Sequence, residues 1–324
     1  MTFDQSPLYL TESDVASLAP TPGALADIVA TAFSSRTTGE AVAPPKTAMR
    51  LCATGLYCQS MSAAVAGLGA GVKWVTLPRE SAARDLPHIS GLVILCNPDT
   101  GELEAVLEAR HLTALRTAAI SLAAARHLAR PESTILALVG CGVQARAHLD
   151  ALVNAFPIAR VRLLSRRQAS ARAFARSASH GGLGFDICDD AASAVAGADL
   201  VVSTVPADPG LSPFLDAETL SPGATALMVD LGRSWIAARL HRFDRAFTDD
   251  AAQTAALAPD NPGFAALRFA GDLADLESRR TPGRTGADDR LAFAFAGSGI
   301  ADIASAAAIV RAARARGLGS ILGS

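Results

Sequence analysis

The chain has 324 residues, half of them hydrophobic, and a formal net charge of -2. That length accommodates two domains and a large core. The near-neutral balance, without a basic face or run, excludes a nucleic-acid footprint.

Residues 1–10 carry Asp4 and no basic residue ahead of an apolar core, unlike a signal peptide. Arg116, Arg126 and Arg130 interrupt the longest alanine-rich stretch, so no run reaches membrane-spanning length. Cys52, Cys58, Cys96, Cys141 and Cys188 form no C-x-x-C pair and read as reduced thiols of a cytoplasmic protein, with no metal site.

Residues 8–10 read as an edge strand, and Thr11 with Asp14 resembles a capping box ahead of Val15 and Leu18. A helix is predicted over 23–34, then a polar loop closing on Pro44-Pro45. From residue 46 to 107 the pattern turns to strands. Residues 48–53 and 55–61 suggest a hairpin at Thr54-Gly55; 72–76 alternates; 91–96 and 103–107 pair around a turn at 97–101. A long helix over 112–129 ends at Arg130-Pro131, because proline breaks the hydrogen-bond ladder.

Residues 134–139 are apolar and partly β-branched, as suits a strand buried on both faces. They run into Gly140-Cys141-Gly142-Val143-Gln144-Ala145, and a helical pattern continues to about residue 156. Strand, G-x-G-x-x-A turn and helix together make a dinucleotide-binding fingerprint. Gly140 allows the tight turn, Gly142 leaves room for a pyrophosphate, and Ala145 lets helix and strand pack closely. The helix N-terminus offers free N–H groups. Further strands are predicted at 161–164, 184–188, 199–205, 224–231 and 245–248, with helices at 168–179 and 189–196. The fold class is therefore α/β: a Rossmann doubly wound parallel sheet, preceded by a strand-rich α+β region. Residues 251–290 are expected to form an exposed loop with one short helix over 272–277; a last strand (291–296) and a closing helix (300–316) complete the chain.

Three places carry chemistry. At the end of the second fingerprint strand, an acidic residue would accept hydrogen bonds from the adenosine ribose. Ser165-Arg166-Arg167 stands there instead and suits a 2′-phosphate, which predicts NADP(H) in preference to NAD(H). Arg116, followed by Thr117, lies near the start of an alanine-rich helix, where a buried guanidinium needs an anionic partner. That partner is either an internal carboxylate or a substrate carboxylate. Lys73, between Val72 and Trp74 on a strand, is either solvated or directed into a cleft.

The segments Gly71-Val72-Lys73-Trp74-Val75, Leu86-Pro87-His88, 91–95, Pro98-Asp99-Thr100-Gly101, 112–119 and 139–145 follow one family in order and spacing. The chain resembles the ornithine cyclodeaminase/μ-crystallin family over nearly its whole length, least between about 230 and 290. The resemblance implies a homodimer, a dimerisation and substrate domain (1–111 and 300–324) and a Rossmann NADP-binding domain (112–299). Family members act on α-amino or α-imino acids beside a nicotinamide. Carried over by position, Lys73 and Arg116 bind the substrate carboxylate, with Lys46 or Arg50 as a third cation. Gln59 and Met61 line the pocket. Thr117, Gly140, Cys141, Gly142, Val143, Gln144, Ser165, Arg166, Arg167, Thr204, Val205 and Gly297 belong to the cofactor side.

Two departures stand out. Where cyclodeaminases and archaeal alanine dehydrogenases carry a catalytic aspartate, this chain has Gly232; Asp230, two residues earlier, is the remaining candidate carboxylate. Phe295 and Gly297-Ser298-Gly299 replace an Asp-Ser pair before glycine. Ammonia loss needs a carboxylate to manage protons, whereas a preformed, protonated imine mainly needs to be held and aligned for hydride. The expected activity is NADPH-dependent reduction of Δ1-pyrroline-2-carboxylate or Δ1-piperideine-2-carboxylate to L-proline or L-pipecolate. An ornithine cyclodeaminase or alanine dehydrogenase is the alternative, and a non-catalytic μ-crystallin-like ligand-binding protein a further one. No metal, nucleic-acid or membrane partner is expected.

Overall fold

The computed structural model describes residues 6–78, 89–178, 180–208 and 210–323; Leu86-Pro87-His88 of the family pattern lies outside them. In chain order the elements are β1 (Leu8–Leu10), α1 (Glu12–Leu18), α2 (Pro22–Ser34), β2 (Ala41–Val42), β3 (Thr47–Leu51), β4 (Leu56–Val65), β5 (Gly69–Leu77), β6 (Ser90–Cys96), β7 (Leu103–Glu108) and α3 (Ala109–Leu128). There follow β8 (Ile135–Val139), α4 (Val143–Leu152), β9 (Arg160–Leu164), α5 (Gln168–Ser177), β10 (Gly184–Ile187), α6 (Ala191–Val195), β11 (Leu200–Ser203), β12 (Thr225–Met228), β13 (Arg245–Thr248) and α7 (Ala251–Leu257). The last are α8 (Pro262–Ala266), β14 (Phe269–Asp272), α9 (Leu273–Glu277), β15 (Leu291–Ala294), α10 (Gly299–Arg316) and β16 (Ser320–Ile321). They form two units, Met1–Arg116 with Gly297–Ser324, and Thr117–Ala296.

In the first unit one sheet runs β16-β1-β7-β6-β5-β4-β2, with β3 paired to β4. β1 lies parallel to β7, and the other ladders are antiparallel. Alternation assigns each side chain its face. Met61, Ala63, Val75, Val93 and Leu95 are buried on one side, and Trp74, Leu92 and Ile94 are exposed on the other. α10 covers the inner side of β4, β5 and β6. Its run of alanines favours helix, Ser298 caps its start, and Gly317 (φ 62°) ends it in the left-handed conformation. This close approach demands glycine in the sheet. A Cβ at Gly71 would lie 2.0 Å from the Ile94 carbonyl oxygen and 3.2 Å from Ile303 Cδ1. At α1 the capping box forms as its sequence suggests, with Thr11 and Asp14 each accepting from the other's backbone N–H.

In the second unit the sheet runs β10-β9-β8-β11-β12-β15-β13-β14, and every ladder is parallel. β11, β12 and β15 are buried along their whole length, which explains their largely apolar sequences, with Ser203 and Thr225 the buried polar residues among them. Strand order reverses between β8 and β11. Open α/β sheets bind ligands at the carboxyl ends of strands at such a switch point, and the fingerprint turn leaves β8 there.

Residues 251–290 correct one expectation. The short helix expected over 272–277 is present as α9, but the rest is not an exposed loop: it carries α7, α8 and β14. Asp250 caps α7, Asn261 accepts from the Gly263 and Phe264 N–H groups at α8, and Asp272 with Asp275 builds a capping box at α9. Phe264, Leu267, Leu273 and Leu276 are buried, so the segment contributes core, and β14 forms the sheet edge. All five cysteines are free. Among the described residues no single helix is long and apolar enough to cross a membrane.

Candidate active site

Lys73 stands in a cross-strand row with Met61, Val93 and Leu107 on the inner face of the first unit's sheet. Its neighbours in the row are apolar, and it is fully buried. An ammonium there needs a counter-ion, and α10 supplies one. Lys73 Nζ donates to Asp302 Oδ1 at 2.7 Å. The same oxygen lies 2.9 Å from Arg116 Nε, an ion pair without hydrogen-bond alignment. Asp302 is wholly buried and its Oδ2 has no hydrogen-bond partner among the described residues. Arg116 is 7% exposed at its side chain, and its ion pair engages only the inner nitrogen, leaving the terminal guanidinium fork for another anion. Burial, then the neighbouring Arg116 charge, push the Lys73 amine down to about 7; Asp302 opposes them and Lys46 adds to them.

Lys46 and Arg50, the two candidates for a third cation, lie in different surroundings. Lys46 Nζ lies 3.4 Å from where a Cβ on Gly297 would sit, with Met61 Sδ at 3.8 Å from the same point. Met61 is the direct partner of Lys73. Arg50 is exposed on β3 and stacks over the Tyr57 ring at 5.1 Å. Gln59 Nε2 donates to the Tyr57 hydroxyl at 2.8 Å. Lys73 and Arg116 therefore share one Asp302 oxygen, with Lys46 close enough to Lys73 to act on its charge, and such a cluster suits a small anion. Gly297, expected on the cofactor side, belongs to this first unit, beside Lys46 and Met61.

The second unit carries the nucleotide features. Gly140 has φ 96°, and a Cβ there would meet Thr204 Oγ1 at 2.7 Å, so only glycine makes this turn. Its N–H donates to the Leu164 carbonyl at 2.9 Å, and Thr204 Oγ1 donates to the Val139 carbonyl at 3.2 Å. Gly142 precedes α4 and gives it no side-chain cap. A Cβ on Gly142 would meet nothing within 4 Å, which leaves an open cradle in front of the first turn's N–H groups. Ala145 is fully buried behind it, Val143 is exposed, and Cys141 Sγ contacts the Leu164 carbonyl at 3.8 Å. Burial pushes that thiol up to about 11. These groups fit a dinucleotide pyrophosphate. Past the end of β9, Ser165 is half-buried and Arg166 and Arg167 are exposed; Arg166 Nη1 approaches Asp208 Oδ2 at 3.8 Å. Val205 is half-buried and Thr117 buried.

Asp230 belongs to a separate network. It is buried after β12, accepting from the Ser203 hydroxyl at 2.8 Å and the Ser234 hydroxyl at 2.5 Å. Trp235 Nε1 donates to the same Ser203 oxygen at 3.1 Å. Burial raises the Asp230 carboxyl, with the serines pulling it down. Both oxygens are engaged within the second unit, an arrangement that ties the loop after β12 to β11. Gly232 follows with φ 70°, and Leu231 at φ 61° shares the left-handed conformation.

Two buried groups escaped sequence reasoning. Asp302 is the sole acid in α10, and that isolation in an alanine-rich helix was its signal. His148 is fully buried on α4, its Nε2 2.7 Å from Ser121 Oγ and its Nδ1 2.7 Å from the Gln144 carbonyl. The carbonyl fixes the proton on Nδ1, so Ser121 donates to Nε2. Burial pushes the imidazole down to about 4. Among the described residues no three His, Cys, Asp or Glu side chains group to hold a metal.

A model of the ornithine cyclodeaminase/mu-crystallin family matches residues 6–317. The alanine dehydrogenase of Archaeoglobus fulgidus is 32% identical over 216 residues, 67% of this chain and 64% of that enzyme. The ketimine reductase mu-crystallin of Rattus norvegicus is 31% identical over 202 residues, 62% of this chain and 59% of that protein. The matched stretches thus span under two thirds of either relative. An archaeal alanine dehydrogenase dimer with bound NAD superposes with a TM-score of 0.86 at 26% identity, covering 97% of this chain and 98% of that one. The two-unit fold, the fingerprint turn and the whole-length match agree: the chain belongs to the ornithine cyclodeaminase/mu-crystallin family.

Proposed function

We propose that the protein reduces a cyclic α-imino acid, Δ1-pyrroline-2-carboxylate or Δ1-piperideine-2-carboxylate, to L-proline or L-pipecolate with NADPH. The observation that carries this reading is the buried cluster of Lys73, Arg116 and Asp302, in which two cations share one oxygen and the Arg116 fork remains for an external carboxylate. In this reading Arg116 and Lys73 hold the substrate carboxylate, Lys46 adds charge, and Met61 packs against the apolar ring. The nicotinamide supplies the hydride taken up at C2, and the ring nitrogen keeps its proton as the C=N bond becomes a single bond. The 2′-phosphate preference rests on Ser165, Arg166 and Arg167 and on the absence of a carboxylate among them.

A named relative acting on ketimines supports reduction. The alanine dehydrogenase relatives support a second reading, in which pyruvate and ammonia replace the preformed imine. A homodimer is part of the proposal: Trp74, Leu92 and Ile94 line the exposed face of the first unit's sheet, an apolar surface suited to a second copy. The test is a substrate panel of both cyclic imines, pyruvate with ammonium, and ornithine, each run with NADPH and NADH. Oxidation of NADPH by a cyclic imine is expected. Turnover with pyruvate and ammonium alone selects the second reading, and ornithine turnover without added cofactor selects cyclodeamination.

A further inference from the structure

We propose that Asp302 is a positioning residue for the substrate carboxylate: through its one oxygen it keeps Lys73 cationic and turns the outer edge of the Arg116 guanidinium toward the ligand. The proposal rests on the imino-acid reading above.

The placement of Asp302 is fixed by packing. α10 begins at Gly299, where a Cβ would lie 2.7 Å from the Ser62 carbonyl oxygen, and passes Gly71, where a Cβ would lie 3.2 Å from Ile303 Cδ1. Glycines at these two contacts bring the first turn of the helix over β4 and β5. Asp302 lies at the end of that turn, where the positive end of the helix favours a carboxylate. It reaches Lys73 on β5 and Arg116 on α3 with the same oxygen, at 2.7 Å and 2.9 Å.

The charges around Lys73 come from three directions. α3 supplies Arg116, α10 supplies Asp302, and the segment ahead of β3 supplies Lys46. The flanking strands β4 and β6 present Met61 and Val93, which are apolar. Asp302 is thus the anion that offsets two cations and full burial at the amine. Without it the amine loses its proton at lower pH. Without the Nε contact the Arg116 fork is no longer oriented. Both losses weaken capture of an anionic substrate. The unpartnered Oδ2 marks the carboxylate as more than a structural plug, since a group placed only for packing satisfies both oxygens, as Asp230 does.

The experiment follows binding of pyrrole-2-carboxylate, a planar analogue whose ring nitrogen does not titrate near neutrality, to the NADP⁺-loaded protein by calorimetry between pH 5.5 and 9. In the wild type, affinity falls as pH rises through the Lys73 pKa, near 7. In Asp302→Asn the falling limb moves down by about one pH unit or more, and affinity at pH 7.5 drops about tenfold or more. NADP⁺ affinity stays within about twofold, since the nucleotide features lie in the other unit. Asp302→Glu, which keeps the charge, returns the limb toward neutral pH. In Lys73→Met the limb vanishes, and adding Asp302→Asn then shifts nothing further. An unchanged limb in Asp302→Asn overturns the proposal alone. Loss of NADP⁺ binding together with analogue binding makes Asp302 a folding residue and also overturns it. A wild type that binds no analogue at any pH removes the imino-acid reading itself and the proposal with it.

Discussion

Replacing Arg116 probes the carboxylate clamp most directly. Its side chain is 7% exposed, so a bound carboxylate meets it largely out of water, and the terminal nitrogens can engage both carboxylate oxygens. Arg116→Lys keeps one charge and loses the planar fork. Truncating one side of a buried, hydrogen-bonded charge pair costs about 2–5 kcal/mol. The retained charge places Arg116→Lys at the low end, about 2–3 kcal/mol, or about 30- to 150-fold in kcat/KM for the imine. Arg116→Met removes the charge as well and falls in the upper range, about 3–5 kcal/mol. Folding should survive both changes, because Asp302 keeps its 2.7 Å hydrogen bond from Lys73. The assay is loss of NADPH absorbance at saturating cofactor over a range of imine concentrations, with the NADPH KM measured beside it. The reasoning predicts that the imine KM carries much of the loss in Arg116→Lys and that the NADPH KM hardly moves. A change below about threefold in kcat/KM, or an equal loss in NADPH affinity, would refute it.

Three other perturbations separate the remaining claims. Gly142→Ala adds a methyl that meets nothing within 4 Å at a φ of -99°, so the melting temperature should stay within about 2 °C while dinucleotide affinity falls about tenfold or more; unchanged affinity by fluorescence titration would remove the cradle assignment. Arg166→Asp should raise the KM for NADPH about 5- to 30-fold and leave that for NADH within about twofold. The range is set low because Arg166 is 88% exposed and water screens its contacts; equal effects on the two cofactors would sink the 2′-phosphate reading. His148 has a folded pKa of about 4 against an ordinary value of 6.5, so below pH 6.5 the unfolded chain binds a proton that the folded one does not. Stability therefore falls on acidification from pH 6.5 to about 4, by about 3 kcal/mol from this residue, and His148→Gln should show a shallower loss of melting temperature across that window. Identical slopes in the two proteins would show that other groups govern acid unfolding.

The elements legible in the sequence are those whose signals are local. The turn from β8 into α4 announces itself because an apolar run, two glycines and a helical pattern must be contiguous to make it. The capping box at Thr11 and Asp14 is likewise local. Within 251–290 only the short helix α9 was legible; α7 and α8 were not, because the composition is that of a loop and these helices are five to seven residues long. Propensity does not stabilise such short helices; burial of Phe264, Leu267, Leu273 and Leu276 does. Lys46 and Arg50 could not be separated by alternation, because every residue of β3 is exposed and the strand has no inner face to set its register. Asp302 lies 229 residues from Lys73, and only the tertiary packing of α10 brings the two together.

The carboxylates that the fold brings to mind for proton chemistry are each committed elsewhere. Asp230 has both oxygens on serine hydroxyls within the second unit, and releasing it for proton transfer would strand the Ser203 and Ser234 hydroxyls in the core. Gly232 offers no side chain. Asp302 has its Oδ1 held between Lys73 and Arg116. Ornithine cyclisation has to take a proton from the attacking amine and give one to the departing ammonia, so it draws on a group that moves protons. Reduction of a ring imine that arrives already formed and protonated draws on none; it needs a held carboxylate and a hydride donor. In the proposed reading the buried charge of Lys73 and Arg116 serves the first requirement and the glycine turn the second. The same distribution makes the pyruvate-and-ammonium reading the more demanding of the two dehydrogenase chemistries, because forming the imine in place requires a base to take protons from the attacking ammonium. Lys73, with its pKa near 7, is the one group of the cluster whose neutral form is within reach for that task. In imine capture it should act as the cation, and in amination as the base. Their pH profiles should therefore run in opposite directions through neutrality: imine capture weakens as pH rises, whereas amination strengthens.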